Sequence, residues 1–160
     1  DLANIDYLKE SNKDMAENLM ITDLLRNDLA KNCTNIKVPK LFSIESFETV
    51  HHLVTTVTAK KPKNVSIFKV FQDAFPGGSI TGAPKKRAME IINELEDFSR
   101  DFYCGCSFFY SSCGKFNSNI LIRSFVFEEG QVHCWAGGAI TIDSTADGDK
   151  ISRLMSVLED

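Results

Sequence analysis

Phe75-Pro76-Gly77-Gly78-Ser79-Ile80-Thr81-Gly82-Ala83-Pro84-Lys85 runs directly into Lys86-Arg87-Ala88-Met89-Glu90-Ile91-Ile92-Asn93-Glu94-Leu95-Glu96. The first segment reads as a flexible loop bearing hydroxyl groups, and the second as the helix that it feeds. Such a junction aims unpaired backbone N–H groups and the positive end of a helix dipole at one place, which suits a carboxylate or a phosphate. Gly, Pro and Ser are also ordinary turn residues, and Pro is common near a helix start. On composition alone, a structural turn is the better reading of the loop.

Upstream, residues 65–75 have helical spacing through Ile67, Phe68, Phe71, Ala74 and Phe75, and break at Pro76-Gly77-Gly78. Residues 41–60 are rich in Val, Thr, Phe and Ile without a sustained helical period, which predicts one or two strands. A helix is predicted from Ser11 to Lys31, with Ser11 and Asp14 as an N-terminal capping pair. Met15, Leu19, Met20, Leu24 and Leu25 recur along it at helical spacing, as in a buried helix with one polar stripe. Downstream, residues 102–112, 118–128 and 131–136 read as three strands of an antiparallel meander, with turns at Cys113-Gly114 and Glu128-Glu129-Gly130. Residues 147–160 read as a final helix with Ile151, Leu154, Met155 and Leu158 on its apolar face. The class is α+β.

The 160 residues suit one ordinary domain, and 43% hydrophobic content is ample for a core. With 22 acidic against 18 basic side chains the net charge is -4, which argues against a general nucleic-acid binder. Lys60-Lys61-Pro62-Lys63 reads as a solvated turn. No run is long and apolar enough for a membrane span, and no secretory leader is recognisable, so a cytoplasmic setting is expected. Five cysteines in no regular framework fit reduced thiols. Cys104 and Cys106 would share a strand face, but their spacing is not that of zinc knuckles or ribbons.

Pro-Gly-Gly-Ser-Ile-Thr-Gly-Ala-Pro-Lys followed by Arg-Ala-Met-Glu-Ile-Ile resembles the signature of the chorismate-binding enzymes, in particular their aminodeoxychorismate synthase branch. Further similar segments follow in the same order. They are Lys13 to Met20, Asp23-Leu24-Leu25-Arg26-Asn27-Asp28-Leu29, His52-Leu53, Ile122-Arg123 and Ala136-Gly137-Gly138. The resemblance implies that residues 1–160 are the C-terminal part of a chorismate-binding domain. That domain is a large α/β sandwich of mostly antiparallel strands around a central site. It implies, for the whole protein, amination of chorismate to 4-amino-4-deoxychorismate on the route to 4-aminobenzoate and folate, with ammonia from a glutamine amidotransferase partner. The alternatives are anthranilate synthase of tryptophan biosynthesis, isochorismate-type chemistry, and a degenerate module that binds chorismate without turnover.

The resemblance also implies roles. Glu17 matches a magnesium ligand, and Asp14, three positions earlier on the same helix face, would be an outer-shell partner. His52 matches the residue facing the substrate ring near the departing hydroxyl. In a strand, adjacent His51 and His52 point to opposite faces, so one is expected to be more buried. Arg123 reads as lying inside the apolar strand Ile120-Leu121-Ile122-Arg123. A guanidinium buried there needs a partner, which the resemblance gives as the enolpyruvyl carboxylate, assisted by Tyr103 and the backbone at Gly137. A structural salt bridge is the plainer alternative. Ser79 matches the hydroxyl residue held against the ring carboxylate, and Lys85 closes that loop in an unspecified positioning role. The charges of Asp23 to Leu29 read as groups that satisfy buried loops.

Four positions depart from the family pattern. Ser152, Arg153 and Ser156 stand where a Glu-Thr pair and a lysine are usual, so the second magnesium carboxylate is replaced at Ser152. Asp149 comes a turn earlier and Glu159 two turns later, while Ala139 replaces a glycine. The family's lysine-bearing Pro-Ile-Lys-Gly-Thr segment would lie upstream of residue 1. The chain alone is therefore expected to be catalytically incomplete, and to self-associate through apolar faces left open.

Overall fold

The computed structural model describes residues 2–48, 50–135, 137 and 138. The predicted helix over 147–160, Ala139, Asp149, Ser152, Arg153, Ser156 and Glu159 lie outside the described residues. The chain divides into two compact units, Asp1–Lys85 and Lys86–Asp160, each described by itself.

In the first unit, α1 (Leu2–Glu10) and α2 (Asn12–Ala30) precede a hairpin of β1 (Thr34–Ser46) and β2 (His51–Lys60). The predicted cap of α2 forms, with the Ser11 hydroxyl accepting from the Asp14 amide at 3.3 Å. Burial along α2 differs from the expectation. Thr22 and Asp28 are the buried residues, while Leu19, Met20 and Leu25 are exposed. Thr22 is satisfied by donating to the Asn18 carbonyl at 2.7 Å, so its burial costs no hydrogen bond.

β1 begins seven residues before the stretch read as extended, at Thr34. Pro39 has no N–H for a ladder, and Asn35 and Phe42 have φ of 54° each. The antiparallel register accordingly slips three times between Thr34 and Ser43 before running regularly from Ser43↔Val54 to Ser46↔His51. These irregularities hide the strand from period-two reading.

The helix predicted over residues 65–75 is α3 (Ile67–Ala74), capped by the Ser66 hydroxyl accepting from the Phe68 amide at 3.2 Å. Among the described residues of this unit, Val70 on α3 and Cys33 after α2 are the buried apolar ones. Residues 75–84 are more ordered than a plain loop, because Gly78–Thr81 make one helical turn, α4. Thr81 donates its hydroxyl back to the Gly77 carbonyl at 3.0 Å. Helix α5 (Lys85–Leu95) then starts one residue before the stretch read as helix.

In the second unit the expected meander is two separate hairpins. β3 (Cys106–Tyr110) pairs with β4 (Phe116–Ile120), and β5 (Phe125–Glu128) pairs with β6 (Gln131–Cys134). Both predicted turns are present, with Gly114 at φ 83°, and Glu129 and Gly130 at φ 49° and 77°. The strand predicted over 118–128 is broken at residues 121–124, where the Ile122 amide bonds the Ile120 carbonyl at 3.0 Å and Arg123 takes φ 53°. Cys104 lies in a turn with φ 65°, so it does not share a strand face with Cys106. Among the described residues no helix is long and apolar enough to cross a membrane.

Candidate active site

Helix α2 organises the candidate residues of the first unit. Glu17 sits half-buried in its second turn, with Asp14 one turn earlier. The next residue, Asn18, reaches the hairpin. Its carboxamide donates to the Leu53 carbonyl at 3.0 Å and accepts from the Thr55 hydroxyl at 2.5 Å. Thr55 in turn accepts from the Phe42 amide at 3.2 Å, satisfying a backbone group that the β1 irregularity releases from the ladder. The same carboxamide therefore fixes β2 at Leu53, immediately after His52.

His51 and His52 are both half-buried, so the expected asymmetry of burial is absent. Their environments differ instead. His51 shares a hydrogen bond with the Ser46 hydroxyl at 2.8 Å, whereas His52 meets the Phe47 ring edge-on at 5.7 Å and pairs across the strands with Glu45.

The far end of α2 meets the hydroxyl-bearing loop. A side chain at Gly78 would come within 2.7 Å of Leu24 Cδ1 and 2.9 Å of Leu24 Cβ, so glycine permits the close approach of α4 to α2. Ser79, the next residue, is exposed. Buried Asp28 accepts from Lys31 at 2.9 Å and from Lys85, and Lys85 also donates to the Ala74 carbonyl at 3.0 Å. Asn32 and Lys69 both donate to the Asp73 carboxylate, at 2.6 and 2.7 Å. The hydrogen bonds from Lys69 and Asn32 hold the Asp73 carboxyl below its ordinary value. The acidic residue read as satisfying a buried loop is thus Asp28; the Asp23–Arg26 pair is exposed.

In the second unit the structure brings Tyr103 and Gly137 together. A Cβ on Gly137 would lie 2.6 Å from the Tyr103 hydroxyl, so only glycine leaves that oxygen its place against the backbone. Trp135 stacks on Tyr103 with centroids 6.4 Å apart and planes 7° off parallel, and His133 stacks on Trp135 at 6.1 Å. The Arg100 guanidinium lies 5.8 Å from the Tyr103 centroid and pairs with Glu96. Burial, then neighbouring Cys104, raises the Tyr103 hydroxyl above its ordinary value, so near neutral pH it is a proton donor for a hydrogen bond.

A cavity of about 340 Å³ opens beside Tyr103 and Trp135, lined also by Leu121, Ser124, Phe125 and Phe127. Arg123 precedes Ser124 in the connection between β4 and β5, where it is exposed rather than inside a strand. The expected buried guanidinium is corrected, because the break at residues 121–124 turns it out of the β4 ladder. Among the described residues no acidic side chain forms a salt bridge with Arg123. Trp135 and Arg100 escaped sequence reading, although Trp135 is the single tryptophan and stands two residues before Gly137.

The model of the chorismate binding enzymes matches residues 1–149. The chain belongs to the chorismate-binding enzyme family. Aminodeoxychorismate synthase component 1 of Salmonella typhimurium is 48% identical to it over 160 residues, covering 95% of this chain and 35% of that protein. The protein of the same name from Escherichia coli is 47% identical with the same coverage. The chain thus spans about a third of the length of these curated relatives. The crystal structure of anthranilate synthase component I from Streptococcus pneumoniae is similar with a TM-score of 0.86 at 30% identity, covering 97% of this chain and 36% of that one. The expected chorismate-binding fold and the α+β class are therefore present in this family member.

Among the described residues no group of three or more His, Cys, Asp or Glu side chains stands ready for a metal ion. Glu17 and Asp14 are hard oxygen donors one helical turn apart. They fit magnesium, an ion commonly held by one or two carboxylates together with water and substrate oxygens.

Proposed function

We propose that this chain is the C-terminal part of the chorismate-binding domain of an aminodeoxychorismate synthase. The whole protein would convert chorismate to 4-amino-4-deoxychorismate with ammonia from a glutamine amidotransferase partner, on the route to 4-aminobenzoate. The observation that carries this proposal is the 47–48% identity to aminodeoxychorismate synthase component 1 over 95% of the chain. Similarity to anthranilate synthase component I at 30% supports the shared fold more than the shared product.

In this mechanism the two substrate carboxylates are held by different donors. Ser79 takes the ring carboxylate. Arg123, the Tyr103 hydroxyl and the backbone at Gly137 take the enolpyruvyl carboxylate. A neutral Tyr103 contributes an O–H donor without a competing negative charge. His52, held in place by the bonds of Asn18 to β2, faces the substrate ring and hydrogen-bonds near the 4-hydroxyl as that group departs. Glu17 would hold magnesium with Asp14 behind it, and the ion when bound would neutralise carboxylate charge and assist loss of the hydroxyl. Donors fixed before the reaction contribute orientation as well as charge stabilisation. The reaction is expected to take place in the cytoplasm.

The test is product analysis on the whole protein supplied with chorismate, ammonia and magnesium. Formation of 4-amino-4-deoxychorismate, lost on Glu17→Gln and His52→Ala, supports the proposal. Anthranilate as the product would assign the protein to the other branch. Magnesium-dependent binding of chorismate without any product would identify a non-catalytic binding module.

A further inference from the structure

Residues 75–84 leave α3 at Ala74 and re-enter helix at Lys85. The ends of this segment are tied by its own flanking residue, since the Lys85 ammonium donates at 3.0 Å to the Ala74 carbonyl. That carbonyl belongs to the last turn of α3, where helical carbonyls lack partners along the helix. The same ammonium meets the carboxylate of Asp28, which is 6% exposed. Lysine suits the junction because its three donors radiate from one point and can serve a carboxylate and a carbonyl in different directions. Asp28 has a second cation, Lys31 at 2.9 Å. Loss of Lys85 therefore leaves the buried carboxylate paired and frees the loop end rather than stranding a charge. Halfway along the segment Gly78 rests on Leu24 of the same helix. The loop is thus anchored to α2 at two places, and Ser79 adjoins one of them.

We propose that Lys85 is a positioning residue that closes the 75–84 loop through the Asp28–Lys85–Ala74 bridge and so sets the place of Ser79. The proposal rests, for its consequence on substrate, on the chorismate reading given above. It requires no contact between Lys85 and substrate. Its chemistry is that of a staple formed by one ammonium group.

Hydrogen exchange followed by mass spectrometry on the full chain tests the bridge without any ligand. Lys85→Met is expected to speed exchange over residues 76–84 by about tenfold, the scale of one lost charge-assisted hydrogen bond. Exchange over residues 51–60 should stay unchanged, and Lys85→Arg should restore part of the protection. Unchanged exchange over 76–84, or an equal rise over 51–60, would overturn the proposal. If Lys85→Met does not fold, Lys85→Gln answers the same comparison. Chorismate affinity of the whole protein supplies the second arm. Lys85→Met should weaken it, and adding Ser79→Ala should weaken it little further, because both act at one point; fully additive losses would overturn the positioning role. Should the unaltered protein fail to bind chorismate, the functional proposal falls, and the exchange comparison still decides the bridge.

Discussion

The two units of this chain hold their candidate site residues by different means. In the first, helix α2 sends polar side chains into the structure: Asn18 binds the β2 backbone and Thr55, and Asp28 binds Lys85. In the second, Tyr103 is held by the stacked Trp135 ring, the Arg100 guanidinium and the Gly137 backbone. Hydrogen bonds are directional and costly to break when buried, so they fix a loop in one register. Stacked rings tolerate small shifts and give shape with less angular demand. The loop bearing Ser79 thus needs a lock, whereas Tyr103 needs only a packed wall.

Breaking the lock should cost most. Asp28→Ala leaves the Lys85 ammonium facing its site without the carboxylate, and is expected to reduce stability by roughly 3 kcal/mol in urea unfolding followed by circular dichroism. In the Asp28→Ala, Lys85→Met double variant the losses should sum to less than the two singles, as for directly coupled groups. Gly78→Ala comes next, at about 2 kcal/mol, because Leu24 Cβ is fixed to its helix and cannot rotate away from the added methyl. A loss too small to measure would mean that α4 lifts off α2 without strain.

The aromatic wall should yield at lower cost. Gly137→Ala presses on the outer end of the Tyr103 side chain, which can turn aside for about 1 kcal/mol or less. Displacing that ring should change the emission of Trp135, the single tryptophan, while the fold remains. The smallest effect belongs to Glu96. Hydrogen bonding from Arg100 holds its carboxyl below the ordinary value, so the pair's contribution is present above the ordinary carboxyl range and is lost as pH falls through the depressed value. Glu96→Gln should therefore lower stability near neutral pH by about 0.5 kcal/mol, and the difference from the unaltered protein should vanish in acid. A difference independent of pH would show that packing, rather than charge, joins these residues.

Local interactions were legible in the sequence. The Ser11–Asp14 cap lies within one turn, and the tight turns at Gly114 and Gly130 advertise themselves by residue type. The family and the hydroxyl-bearing loop could likewise be read from contiguous residues. Other features have no local signal. Leu121-Ile122-Arg123-Ser124 contains neither glycine nor proline, yet it ends β4 and turns Arg123 outward. Lys85 finds Asp28 across 57 positions, a pairing that no periodicity encodes. Burial along α2 is not legible either, because leucine and methionine spacing describes an apolar stripe but does not say what stands against it. There Asn18 and Asp28 make the polar contacts to other elements, Thr22 is buried against its own helix, and of the apolar residues Leu24 meets Gly78.

Leu24 and Asp28 follow Glu17 by seven and eleven positions, close to two and three whole turns of an α-helix. The carboxylate of Glu17, the seat of Gly78 and the partner of Lys85 therefore share one stripe of α2. That helix is a ruler whose graduations cannot be renumbered. Inserting or deleting a single residue between Met20 and Asp23 would swing one end by about 100° relative to the other, so drift in length is closed to this helix while point substitutions on its opposite face remain open.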